Sequence, residues 1–202
     1  MKLMISFSRV AAFAALSLFS VPAMAASLSL SPASSSVFTG DLFTLDVILA
    51  DMADADTISA FDLDISFNPA ILSFTSYELS NALGDVAAGD TFDGSRGNYD
   101  DGVANLMATS LIFTNDAFFA DQFSTSSTAL TLATLSFTAL RPGAGSVAFA
   151  YADLGDEEGD FFTATVAAAA IHVDPVPEPA TMLLLASGLA GLFAGRARGR
   201  QA

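Results

Sequence analysis

Polar and apolar positions through the middle of this chain alternate with a period of two. Phe61, Leu63, Ile65 and Phe67 fall on one side of a segment, and Asp62, Asp64 and Ser66 lie between them. Phe43, Leu45, Val47 and Leu49 alternate with Thr44, Asp46 and Ile48, and Leu135, Phe137 and Ala139 alternate with Thr134, Ser136 and Thr138. Val147, Phe149 and Tyr151 alternate with alanines. Successive side chains of a strand point to opposite faces, so each run predicts a strand with one buried and one wet side. Turn-forming residues separate the runs at Thr39-Gly40-Asp41, Asn68-Pro69, Arg141-Pro142-Gly143 and Gly155 to Asp160. Many short half-buried strands punctuated in this way predict an all-β fold, an antiparallel sandwich with its core between two sheets. Two stretches depart from the pattern. Asn81 to Asp101, rich in Gly and Asp, predicts a long connection, and Asn115 to Ser127, with Phe118, Phe119 and Phe123, predicts a short helix or a capping loop.

The two ends read differently. Lys2 and Arg9 precede an apolar stretch from Val10 to Val21, and Ala23-Met24-Ala25 supplies the small residues a signal peptidase needs. Residues 1–25 are therefore expected to be a signal peptide, cleaved after Ala25. A retained anchor is disfavoured because the apolar stretch is short and runs into Pro22. At the other end, Val176-Pro177-Glu178-Pro179 leads into sixteen uncharged residues, Ala180 to Gly195, followed by Arg196, Arg198 and Arg200. The prolines block helix and sheet and keep the approach extended. Met182 to Ala194 suits a single transmembrane helix with small packing residues, and the arginines would remain cytoplasmic. This arrangement resembles the PEP-CTERM sorting signal of Gram-negative bacteria over residues 176 to about 200. The resemblance implies recognition at Pro177, Glu178 and Pro179 by an exosortase, a membrane-embedded cysteine protease that removes the tail. The chain divides into a signal peptide (1–25), an exported domain (26–175) and a sorting signal (176–202). Its expected course is an inner-membrane-anchored precursor, then the cell envelope or the extracellular space.

Charge narrows the function classes. All 22 acidic residues lie between Asp41 and Glu178, whereas five of the seven basic ones belong to the targeting ends. Only Arg96 and Arg141 remain in the domain, which is thus more acidic than the whole-chain net charge of −15. Such a surface repels nucleic acid and anionic lipid and excludes DNA or RNA as a partner. The absence of cysteine removes thiol nucleophiles, thiolate metal sites and disulfides together. With 18 Phe and no Trp, the core should rest on Phe, Leu, Val and Ile.

The order of segments carries a second resemblance. A strand at Leu28-Ser29-Leu30, Gly40-Asp41, a strand over 42–49, and Ile58 to Phe67 running directly into Asn68-Pro69-Ala70-Ile71-Leu72-Ser73-Phe74 look like the N-terminal half of a cohesin domain. The strand at Ala133 to Phe137, the strand from Gly145 to Tyr151, the acidic loop and the closing strand Ala169 to Val173 fit the C-terminal half. The resemblance covers about 28–173, with 81–127 matching poorly. It implies a cohesin-like jelly roll of about nine strands and protein–protein recognition through one sheet face, as cohesins recognise dockerins.

Candidate chemistry is sparse. His172 is the sole histidine and sits between Ile171 and Val173, so it is expected on the exposed side of the closing strand. Without a second histidine or any cysteine, zinc and Cys-His catalysis fail on inventory, and no Gly-x-Ser-x-Gly elbow accompanies His172 for a serine triad. Two acidic loops are candidate calcium sites, since calcium takes several oxygen ligands. One holds Asp156, Glu157, Glu158 and Asp160; the other runs from Asp90 to Asp101 with Asp93, Asn98 and Asp100. Neither follows the EF-hand spacing. The reading that emerges is a non-enzymatic binding or structural module of the envelope or extracellular polysaccharide matrix, with Asp62, Asp64 and Ser66 as the candidate binding face. Its expected partners are signal peptidase, exosortase and either a dockerin-like protein or an exopolysaccharide. A carbohydrate-binding module is the alternative, against which the missing Trp counts, and a polysaccharide hydrolase using paired carboxylates is the third.

Overall fold

The computed structural model describes residues 26–52, 57–112, 129–177 and 184–190. Thirteen strands occur among them, in two sheets packed face to face. The first sheet has the order β12-β1-β3-β9-β5, with β1 (Ser27–Pro32), β3 (Leu42–Ala50), β5 (Leu72–Leu79), β9 (Ala129–Ala139) and β12 (Thr165–Ala167). The second has the order β2-β13-β10-β4-β8-β6, with β2 (Ser36–Phe38), β4 (Ala60–Phe67), β6 (Thr91–Asp93), β8 (Val103–Ser110), β10 (Gly143–Gly155) and β13 (Ala169–Asp174). Two further pieces join it, β7 (Gly97–Asp100) on β8 and β11 (Phe161–Phe162) on β10.

The expected sandwich is present, with two departures. Pairing is antiparallel except at two margins, where β12 runs parallel to β1 and β2 runs parallel to β13. The strand count exceeds nine because five pieces of two to four residues attach to the edges of the eight longer strands. Three of these short pieces, β2, β6 and β12, occupy sheet edges, where a long bare strand would invite pairing with another chain. The stretch 81–101 is also more ordered than a plain connection. It holds a 3₁₀ turn (Asn81–Leu83), capped by the Ser80 side chain accepting from Ala82 N, and then β6 and β7. Residues 113–128, where a helix or capping loop was expected, lie outside the described residues.

The period-two pattern explains the core. Leu45, Val47 and Leu49 from β3, Leu63 and Ile65 from β4, Leu106 from β8, Leu135 and Phe137 from β9, and Ile171 and Val173 from β13 are all buried between the sheets. Phe137 is the hub. Its ring stacks on Phe43 at 5.8 Å and meets Phe67 and Phe74 edge-on at 5.3 and 5.6 Å. These arrangements set the positive ring edge against the negative face and add to the burial itself. Phe67 comes from the second sheet, so this cluster joins the two layers.

Three bulges interrupt the alternation of the longer strands, besides one in the short β7. On β9 the register slips at Leu132, and both Leu132 and Ala133 are buried. On β5 it slips at Thr75, so Phe74 and then Tyr77 pack on the core. On β10 it slips at Ala150, between Phe149 and Tyr151. The expected inward row of Val147, Phe149 and Tyr151 therefore ends at Phe149. Tyr151 is exposed, and Ala152 and Leu154 take the inward positions beyond it. One extra residue on one strand of a pair shifts everything after it to the other face.

The turn after β4 matches its motif. The Asn68 carbonyl accepts from Ile71 N and Leu72 N at 3.0 and 2.9 Å, and Asn68 Oδ1 accepts from Ala70 N at 3.0 Å. Gly102, in the turn just before β8, closes it with φ +82°, and a Cβ there would sit 2.7 Å from the Phe67 carbonyl oxygen. No other residue fits this approach at low cost.

Replacing Phe137 by Ala should lower the unfolding free energy by about 3–5 kcal/mol, since it removes a large buried ring that three others contact. Urea unfolding of the exported protein measures this, and a loss below about 1 kcal/mol would show that the ring cluster is not the joint between the sheets.

Candidate binding face

Strand β4 is central in the second sheet, flanked by β10 and β8. Its Phe61, Leu63, Ile65 and Phe67 are buried, while Asp62, Asp64 and Ser66 are half-buried on the outer face. Register places the neighbours. Tyr151 on β10 and Asn105 on β8 lie opposite Asp64, and Asp153 and Met107 lie opposite Asp62. One step further along, Gly155 and Thr109 lie opposite Ala60, with Phe92 of β6 opposite Thr109.

The carboxylates are arranged by neutral groups. Asn105, only 6% exposed, donates from its single Nδ2 to Asp62 Oδ1 and Asp64 Oδ1, each at 2.9 Å. The Tyr151 hydroxyl donates to Asp153 Oδ2. Ser66 is committed to the sheet, its hydroxyl donating to the Ala148 carbonyl at 3.1 Å. Thus of the three residues expected to form a face, Asp62 and Asp64 present carboxylates and Ser66 does not present a free hydroxyl. Sequence reasoning missed Tyr151, Asp153 and Asn105. Asp153 and Tyr151 follow from the slip at Ala150, and the one local hint of it is the extra length of the strand before the acidic turn. Asn105 was hidden because β8 is apolar on both sides of it.

These groups shape the titration of Tyr151. Its phenol is pushed above the ordinary tyrosine range, first by the hydrogen bond to Asp153, then by partial desolvation and by the negative charges of Asp153, Asp62 and Asp64. A second tyrosine–aspartate pair joins β5 and β6 at the sheet margins, where burial and then the bond to Asp93, at 3.0 Å, raise Tyr77.

Beside the carboxylates lies a half-open hollow of about 250 Å³, lined by Asp62, Met107, Thr109, Asp153 and Phe161 among others. Phe161, on β11 opposite Gly155, is 77% exposed.

The remaining candidate residues are placed as follows. In the acidic turn, Asp156 Oδ1 accepts from Asp160 N at 2.8 Å, and the side chains of Glu157, Glu158 and Asp160 are exposed. In the other loop, Asp93 is engaged by Tyr77 and by Ser95 N. Among the described residues no three acidic or histidine side chains converge as a metal-holding group. His172 is exposed beside Asp174, with Nε2 3.2 Å from Oδ1. Ala23, Ala25, Glu178 and Pro179 lie outside the described residues, while Pro177 is in irregular chain. Residues 184–190 form an exposed helical stretch, and no helix among the described residues is long and apolar enough to cross a membrane.

This architecture is that of a cohesin-like sandwich. It is similar to a cohesin module of a family 33 glycoside hydrolase from Clostridium perfringens, with a TM-score of 0.59 and 10% identity over 76% of this chain and 99% of that one. It is also similar to a type II cohesin domain from the cellulosome of Acetivibrio cellulolyticus (TM-score 0.57, 15% identity, 73% and 95% covered). A type I cohesin from a cohesin–dockerin complex of Clostridium thermocellum superposes as well (TM-score 0.58, 11% identity, 74% and 95% covered). At these identities the likeness is one of fold. The C-terminal segment, residues 175–200, matches the PEP-CTERM protein-sorting motif, one residue earlier than the Pro-Glu-Pro reading set it. No curated protein matches the chain in sequence.

Because a raised phenol pKa means that the fold favours the protonated form, the stabilisation from the Tyr151 to Asp153 bond is complete below the ordinary tyrosine range. It is lost as pH climbs through the raised value. Ultraviolet titration should show two late-ionising phenols, Tyr77 and Tyr151, of which only one moves down in Asp153→Asn, and an unchanged curve in that variant would remove Asp153 as the cause.

Proposed function

We propose that this chain is an exported, non-catalytic binding or structural module of the cell envelope or extracellular polysaccharide matrix. It engages a protein partner through the outer face of β10, β4 and β8, and its C-terminal segment is removed by an exosortase. The observation that carries the binding reading is the Asp62, Asp64 and Asp153 surface, ordered by Asn105 and Tyr151 on a rigid central strand. Sites on such strands hold their geometry better than loop sites. One of the similar structures is a cohesin–dockerin complex, which supports protein recognition as the activity of this domain. The sorting motif at 175–200 supports export and processing. The anchored stage rests on the sequence of Ala180 to Gly195 and the arginines after it.

Two measurements test this. Intact mass of the protein from its native host should begin near Ala26 and end close to Pro177-Glu178-Pro179, and Glu178→Ala should make a membrane-held precursor accumulate. A stable extracellular form that keeps Met182 to Arg200 would sink the sorting half. For the face, Asp62→Asn with Asp64→Asn keeps both oxygens that accept from Asn105, so the fold should survive. Capture of the partner should drop roughly tenfold and show a shallower salt dependence. A partner held as tightly by the double variant, at low salt, would rule this face out.

A further inference from the structure

Asp62 and Asp153 lie directly opposite each other on β4 and β10. Like charges so placed destabilise a strand pair. Asn105 and Tyr151 donate neutral hydrogen bonds to them and leave the negative charge in place. The two carboxylates also line the hollow of about 250 Å³, which has Met107 on its β8 side and the largely exposed ring of Phe161 on its β11 side. That volume equals roughly eight waters at about 30 Å³ each. It falls below the roughly 300–1,000 Å³ of pockets that enclose small molecules, and so suits a single side chain.

We infer that this hollow receives one lysine or arginine side chain of the protein partner, with the aliphatic stem against Met107 and Phe161 and the cation between Asp62 and Asp153. This rests on the proposed binding face and names the residue type that anchors it. Long basic side chains pack their methylenes on apolar surface while keeping the charge on polar groups, which is the division this hollow offers. A cation near the Phe161 ring adds a further attraction. A neutral sugar could stack on Phe161, but it would leave the opposed carboxylates uncompensated. The remaining basic residues of this domain, Arg96 and Arg141, do not line the hollow, so the cation comes from outside.

The test is an NMR titration of the exported protein with two acetylated, amidated peptides, Gly-Ser-Leu-Lys-Leu-Ser-Gly and the same peptide with norleucine for lysine. Cellohexaose and calcium chloride serve as comparison probes. The lysine peptide should shift the Asp62, Asp153 and Phe161 amides in a saturable way, and the norleucine peptide should not at equal concentration. Phe161→Ala and Asp153→Asn should each weaken the lysine peptide by roughly threefold. Phe161 is exposed, and asparagine at 153 keeps an oxygen that can accept from Tyr151, so both variants should remain folded. Equal binding of the two peptides, or unchanged affinity in both variants, would overturn the inference. So would a response of these same amides to cellohexaose or calcium alone that matches or exceeds the lysine peptide's. Each of these failures leaves the wider face reading standing, because that reading fails only when the partner itself ignores the Asp62 and Asp64 substitutions.

Discussion

The joint between the sheets at Phe137 positions everything else in this domain. Phe43, Phe67 and Phe74 converge on its ring from three strands, and Phe67 reaches it across the layer boundary. Phe67 also ends β4, immediately before the Asn68 turn, whose closure depends on Gly102 approaching the Phe67 carbonyl. The inward pull on Phe61, Leu63, Ile65 and Phe67 fixes the rotation of β4 about its own axis. Once that rotation is set, Asp62 and Asp64 have no direction available but outward. The acidic face is therefore a consequence of core packing, without a loop of its own.

The second constraint is electrostatic. A domain with two arginines cannot neutralise its carboxylates internally, so it manages them with neutral donors. The Asn105 amide serves two carboxylates and the Tyr151 phenol a third, which fixes their positions while leaving the charge on offer. Exposure of that charge in water is cheap, and a basic partner meets a field already assembled. The same acidity accounts for the absence of anything resembling a nucleic-acid surface.

Fold and address come from different parts of the chain and are independent. The cohesin-like sandwich lies within residues 26–174, where all the buried side chains of the core are found. The sorting motif at 175–200 starts directly after β13 ends at Asp174. Removal of the tail would thus leave every core contact among the described residues in place. A module built this way can be released from its address without unfolding.

Local pattern in the sequence determined the all-β class, the inward rows of β3, β4 and the later part of β9, the Asn68 turn and the outward placement of His172. Each of these depends on neighbours one or two residues apart, which is the range over which side-chain direction is set by the backbone itself. The tertiary structure alone decided the rest. A bulge costs little locally and is selected by which partner strand pairs where, so alternation alone did not place the slips at Thr75, Leu132 and Ala150. The slip at Ala150 sent Tyr151 out of the expected core row and set Tyr151 and Asp153 beside Asp64 and Asp62. Asn105 joined them because β8 pairs with β4 from 43 and 41 residues away in the chain, a pairing that only long-range burial specifies.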